Sequence, residues 1–96
     1  MKEQILIVDD EAMVLQMQRR AFSREGFDCR TAGSADAAIA ILREDGVALA
    51  LIDINMPGRS GVQLLHEMKK LCPDVAAVMV TAVDDLQIAI SCLRLG

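Results

Sequence analysis

Aromatic residues are scarce in this chain of 96 residues, which contains two Phe, no Trp and no Tyr. Side chains on which nucleic-acid bases could stack are therefore almost lacking. The sequence also has no block of basic residues, and its formal net charge is −4. A surface that grips nucleic acid needs a basic face to displace counterions. We therefore expect no direct nucleic-acid contact by this segment.

Long apolar runs and paired cysteines are lacking as well. No stretch approaches the roughly 20 apolar residues of a membrane-spanning helix, and residues 1–4 lack the apolar core of a signal peptide. The three cysteines, Cys29, Cys72 and Cys92, are widely spaced and form no CxxC motif. They are typical of reduced thiols rather than of disulfides or a zinc site. Together these features predict a cytoplasmic location without membrane contact.

What the chain does contain is a 53% share of hydrophobic residues, arranged in short segments that alternate in type. The continuous apolar runs at 5–8 and 47–52 are typical of strands buried on both faces. A more polar strand is predicted at 27–32 and a fourth strand at 76–80, and residues 55–59 are predicted to form a loop. Capping residues and helical spacing predict four helices. They are expected at about 12–25, between Ser34 and Asp45, between Ser60 and Pro73, and at about 84–95.

This order predicts one α/β domain over residues 1–96, made of four β/α units around a parallel sheet. Right-handed crossovers leave few topologies. The flavodoxin-like, doubly wound arrangement has the strand order 2-1-3-4 and places strand 1 beside strand 3. Ligands bind at that switch point, beyond the carboxyl ends of the strands.

Three acidic residues follow those two strands. Asp9 and Asp10 come directly after strand 1, and Asp53 ends strand 3. Carboxylates that converge on one crevice repel each other unless a cation compensates their charge, and such an oxygen-rich site suits Mg²⁺. A carboxylate beside that ion could accept a phosphoryl group. The alternative is that each Asp caps a helix or lies in a solvated loop, as Asp10 could for the first helix.

Two other polar side chains allow two interpretations. Thr81 closes strand 4, so its hydroxyl could donate to a phosphoryl oxygen, or it could simply line the turn that follows. His66 is the only histidine and could donate a phosphoryl group. Its charged neighbours, Glu67, Lys69 and Lys70, instead favour an exposed helical position.

Three segments together resemble the receiver domain of two-component response regulators in order and spacing. They are Ile7-Val8-Asp9-Asp10-Glu11, Leu51-Ile52-Asp53-Ile54-Asn55-Met56-Pro57-Gly58 with Ser60-Gly61 after it, and Val80-Thr81-Ala82. The resemblance covers the whole chain and implies that Asp53 is the phosphoacceptor. It also implies that Mg²⁺ (or Mn²⁺) is bound directly by Asp10 and Asp53, largely through water by Asp9, and by the backbone carbonyl of Asn55.

The same resemblance assigns further roles. Thr81 would be the switch hydroxyl, and Asn55 and Val83 would tune the lifetime of the phosphoryl group. The donor would be a sensor histidine kinase, a phosphotransfer protein or a small acyl phosphate, and an output domain could follow the C-terminus. The chain would catalyse its own phosphorylation and dephosphorylation without being a turnover enzyme.

Two alternative functions stay open. The first is a receiver-like binding or dimerisation module that acts without phosphorylation. The second is a metal-dependent phosphatase or dehalogenase with a strand-end Asp nucleophile. Those enzymes typically carry a second acid two residues after the nucleophile, where this chain has Asn55, so the second alternative is the weaker one.

The sequence departs from the receiver pattern at its C-terminal end. The family's fifth strand, with a lysine at its end and an aromatic switch residue, and its fifth helix have no counterpart in residues 1–96. Lys69 and Lys70 lie late in the third helix and do not take the lysine's place. Strand 4, at 76–80, would then be an apolar edge, and such edges pair with other chains. We therefore expect strand-mediated dimerisation, segment exchange or poor solubility.

The absent lysine also gives a kinetic prediction. We expect the 96-residue chain to bind Mg²⁺ but to be phosphorylated slowly, because no cation from a fifth strand pairs with the incoming phosphoryl group. A chain extended by one more β/α unit should be phosphorylated faster under the same conditions. Equal rates for the two forms would refute this expectation.

Overall fold

The computed structural model describes residues 4–44, 46–54, 56 and 60–80. Four strands and three helices alternate along these residues. The strands are β1 (Gln4–Val8), β2 (Asp28–Ala32), β3 (Val47–Asp53) and β4 (Ala76–Val80), and the helices are α1 (Ala12–Arg24), α2 (Ala35–Leu42) and α3 (Gly61–Leu71). The predicted helix at 84–95 lies outside the described residues.

The strands form one parallel sheet in the order β2-β1-β3-β4, which confirms the predicted flavodoxin-like topology. β1 lies between β2 and β3, so Val8 pairs with Ala32 on one side and with Ile52 on the other. Because the pairing is parallel, the carboxyl ends of all four strands lie at the same edge of the sheet.

Both faces of the sheet are covered by helices. On one face α2 and α3 pack against side chains such as Leu6, Val8 and Ile52, and on the other α1 packs against Ile5 and Ile7. Residues that alternate along β1 therefore point into two separate cores, as expected for a strand between two helical layers. The nearly complete burial of residues 5–8 explains why that segment is continuously apolar.

The ends of the helices carry the signals that the sequence predicted. The Ser34 side chain accepts a hydrogen bond from the backbone N–H of Ala37 and so caps α2. Ser60 and Gln63 form a complete capping box at the start of α3, a motif whose N-cap contributes about 1 kcal/mol. Gly26, directly after the C-cap residue Glu25 of α1, has a φ of 91°, a left-handed conformation that favours glycine.

No helix among the described residues is long and apolar enough to cross a membrane.

β4 is the last strand of the sheet within the described ranges, and it pairs there with β3 alone. Its first residue, Ala76, is exposed, and Ala77, Val78 and Met79 are half-buried.

Dimerisation through the edge of β4 stays a prediction. We expect Ala76→Lys, which places a charge on this edge, to reduce self-association measured by light scattering at high concentration. The exposed helical substitution Ala40→Lys is the control, and a clean monomer of the native chain would contradict the prediction.

Candidate metal centre

The pairing of β1 with β3 brings the three predicted acids together. Asp53 is the last residue of β3, and Asp9 and Asp10 directly follow β1. One carboxylate oxygen from each residue lies within 4.8 Å of the corresponding oxygens of the other two. The convergence expected from the strand order is therefore confirmed.

The three carboxylates differ in their surroundings. Asp9 is buried, with 7% of its surface exposed, whereas Asp53 is half-buried and Asp10 is exposed. The Oδ1 atom of Asp9 accepts a hydrogen bond of 3.0 Å from the backbone N–H of Glu11. The cluster thus has a fixed, buried side at Asp9 and a side open to solvent at Asp10.

Burial has an electrostatic consequence for Asp9. Desolvation raises the pKa of its carboxyl group above the ordinary value, and the negative charges of Asp53, Asp10 and Glu11 raise it further. The hydrogen bond from the backbone of Glu11 acts in the opposite direction. A cation bound beside Asp9 would offset these effects, because a nearby opposite charge favours the charged form of a carboxyl group.

The alternative role of Asp10 as a helix cap is not what the structure shows. The N-cap of α1 is Glu11, and no side-chain hydrogen bond caps that helix. The N-terminus of α1 nevertheless begins two residues after Asp10. Its unpaired N–H groups carry a partial positive charge that favours anionic groups nearby.

The cluster fits a divalent cation in its chemistry and its dimensions. Mg²⁺ prefers oxygen ligands at 2.0–2.1 Å in octahedral geometry, so that neighbouring ligands lie about 3 Å apart and opposite ligands about 4 Å apart. The three carboxylate oxygens lie within 4.8 Å of one another, which is near these spacings. Waters could complete the shell on the exposed side, at Asp10.

Two residues near the site were not given these roles from the sequence. Met56, which lies after β3, is 8% exposed and packs into the core under α2 and α3. Gly61, the first residue of α3, is buried directly against the main chain of Asp53. An apolar residue within a polar segment signals the first. Gly61 belongs to a segment that resembles the receiver domain, but the sequence does not reveal its contact with Asp53.

Three of the other predicted residues, Asn55, Thr81 and Val83, lie outside the described residues, so their roles stay predictions. His66 is exposed on α3, as its neighbours indicated. Cys29 and Cys72 are free thiols.

The sequence and the fold both have known counterparts. A family model for the response regulator receiver domain matches residues 5–96. The chain is 32% identical over 92 residues to the probable transcriptional regulatory protein TcrX of Mycobacterium tuberculosis, covering 96% of this chain and 39% of that protein. It is 35% identical over 94 residues to the transcriptional regulatory protein MalR of Bacillus subtilis, covering 96% and 40%. The chain thus spans about two fifths of the length of these relatives.

Solved structures of response regulator receiver proteins also resemble this chain in fold. A CheY-like receiver domain protein from Methanospirillum hungatei superposes with a TM-score of 0.81 at 30% identity, covering 97% of this chain and 75% of that one. The response regulator TrrA of Thermotoga maritima in complex with Mg²⁺-BeF has a TM-score of 0.79 at 27% identity, covering 95% and 79%. A complex of the histidine kinase ThkA with TrrA gives 0.78 at 30% identity, covering 83% and 69%.

The raised pKa of Asp9 gives a prediction for the metal-free chain. A carboxyl group with a raised folded-state pKa stabilises the fold when protonated, and that stability is lost as the pH rises through the folded-state pKa. Asp9→Asn should therefore increase the free energy of unfolding at pH 7 in the presence of a chelator. The gain should shrink as the pH falls below the folded-state pKa of Asp9.

Urea unfolding of native and variant chains across this pH range measures the effect. Asn keeps an oxygen that can accept from the Glu11 N–H, so the substitution isolates the charge. Asp28→Asn, at an exposed position in β2, is the control and should change little. A destabilised Asp9→Asn at neutral pH would contradict the electrostatic account.

Proposed function

The chain belongs to the response-regulator receiver family, and we propose that it accepts a phosphoryl group on Asp53 in a Mg²⁺-dependent reaction. The observation that carries this proposal is the convergence of Asp9, Asp10 and Asp53 at the carboxyl ends of β1 and β3. Neither helix capping nor packing requires three acids within 4.8 Å of one another.

The proposed roles of the three acids follow from their surroundings. Asp53 is the acceptor, since it is half-buried and is held by β3, which pairs with a strand on each side. Asp10 and Asp53 would bind Mg²⁺ directly. Asp9 would act largely through water, because it is the most buried of the three and one of its oxygens already accepts the Glu11 N–H. The backbone carbonyl of Asn55 and the hydroxyl of Thr81 complete the proposed set.

The transfer is an in-line displacement at phosphorus. A carboxylate oxygen of Asp53 forms a bond to phosphorus, while the bond from phosphorus to the donor breaks and its electron pair leaves with the donor. For a phosphohistidine donor the leaving group is the imidazole nitrogen, and for a small acyl phosphate it is a carboxylate oxygen. When bound, Mg²⁺ supplies positive charge that neutralises the phosphoryl oxygens.

The residues of the chain supply the positioning. The backbone of Asp53 pairs with Val80 of β4, and Ile52 before it pairs with Val8 of β1, which reduces the freedom of the nucleophile before it meets the donor. The exposed side of the cluster, at Asp10, is where a donor can approach. Asp9 lies on the buried side of the cluster and, when ionised, would add to the attraction for the cation.

The partners follow from the same chemistry. A histidine kinase or phosphotransfer protein is the proposed donor, in line with the structure of ThkA with TrrA. An output domain is proposed because the matched transcriptional regulatory proteins are much longer than this chain. A cytoplasmic location, in which thiols stay reduced, suits the free Cys29 and Cys72.

Phosphorylation can be tested on the chain itself. Incubation with Mg²⁺ and a small acyl phosphate should add the mass of one phosphoryl group to the native chain. The addition should require Mg²⁺ and should be lost in Asp53→Asn, because the amide is not a nucleophile. Asp74→Asn, at an exposed position after α3, is the matched control and should react like the native chain.

Two outcomes would contradict the proposal. If Asp53→Asn still gains the phosphoryl mass, another residue is the acceptor. If the native chain binds Mg²⁺ yet neither gains mass nor responds to beryllofluoride, the binding module that acts without phosphorylation becomes the better account.

A further inference from the structure

Helix α3 begins at Gly61, in direct contact with the end of β3. We propose that Gly61 is a positioning residue for Asp53. Because Gly61 has no side chain, the first turn of α3 can rest on the main-chain carbonyl of Asp53 and hold the carboxylate where a cation requires it. The inference rests on the proposed function, since it assigns Gly61 a role toward the proposed acceptor.

The space at Gly61 is too small for any side chain. A Cβ atom at this position would lie 2.3 Å from the carbonyl oxygen of Asp53 and 3.0 Å from both Ile52 Cγ2 and Met79 Cε. The nearest of these atoms belongs to the backbone, so a rotation of a flexible side chain cannot relieve the contact. The φ of Gly61 is not positive, so the position needs glycine for space and not for its torsion angles.

The parts that meet at Gly61 are each held in place. The backbone N–H of Gly61 donates to the carbonyl of Ile54 at 3.3 Å, and the capping box of Ser60 and Gln63 fixes the first turn of α3. On the other side, Asp53 pairs with Val80 of β4. A Cβ at position 61 must therefore move either the start of α3 or the peptide group that follows Asp53.

Such a movement would displace Asp53, a proposed ligand of the metal centre. Restoring an ordinary contact from 2.3 Å needs a displacement of about 1 Å, and Mg²⁺ tolerates little departure from its octahedral geometry. Loss of a residue that orients a ligand typically weakens metal binding about 10- to 100-fold. Helix propensity alone would instead predict a more stable α3 in Gly61→Ala, since alanine is a better helix former than glycine.

The test compares two glycines at the same edge of the sheet. Gly61→Ala should weaken Mg²⁺ binding, measured by calorimetry, by about 10-fold or more. Gly33→Ala is the matched control, because a Cβ at Gly33 would have nothing within 4 Å and its φ is not positive. That control should bind Mg²⁺ like the native chain.

A general loss of stability must be separated from a loss of positioning. Ile39→Val removes one methyl group from the buried side of α2, away from the acids, and should lower the unfolding midpoint without changing the Mg²⁺ affinity of the folded chain. For Gly61→Ala the loss of affinity should persist at temperatures where the variant is fully folded. Native affinity in folded Gly61→Ala would overturn the inference.

Should Gly61→Ala fail to fold, Gly61→Ala/Met79→Ala removes one of the three close contacts and keeps the contact with the Asp53 carbonyl. It should bind Mg²⁺ more weakly than Met79→Ala alone, and equal affinities would overturn the inference. Failure of the proposed function gives a different pattern. In that case the native chain itself shows no Mg²⁺ binding or phosphorylation that depends on Asp53, whatever residue stands at position 61.

Discussion

The parallel pairing of β1 with β3 is the constraint on which the site depends. It places Asp9 and Asp10, which follow one strand, beside Asp53, which ends the other, although more than 40 residues separate them in the sequence. The pairing is in turn held by two helical layers, because the side chains of β1 alternate between a core under α2 and α3 and a core under α1. The apolar runs of β1 and β3 thus fix the positions of the acidic residues at their carboxyl ends.

The electrostatic interactions within the acidic cluster are unfavourable. Three carboxylates share a small volume, and the most buried of them has a raised pKa because of desolvation and the neighbouring charges. A fold with nothing to gain from this arrangement would spread the charges apart. The backbone N–H of Glu11, which donates to Asp9, offsets part of this unfavourable interaction. A carboxyl pKa perturbed by burial and by neighbouring charges is typical of functional sites.

Much of this could be predicted from the sequence because the signals are local. The apolar run at 47–52 predicted a buried strand, and the spacing of Ser60 and Gln63 predicted the start of α3 together with its capping box. The acids converged as expected once the strand order was known. Each of these inferences depends on periodicity or on chemistry within a few residues.

The parts that could not be predicted depend on contacts between distant segments. The contact of Gly61 with the carbonyl of Asp53 depends on how closely α3 approaches β3, and no spacing in the sequence encodes that distance. Leu71 keeps helical spacing with Leu64 and Met68 but is 49% exposed, because the last turn of α3 extends past the core. Asp10, a possible cap from its position, leaves the N-cap of α1 to Glu11.

The central claim is that Asp9, Asp10 and Asp53 act as one cation site. A Mg²⁺ titration followed by the backbone amide chemical shifts of these three residues tests it most directly. The account predicts that the three amides shift along a single saturable curve with one shared affinity. Three unrelated curves, or no shift beyond that of exposed acids such as Asp28 and Asp74, would contradict it.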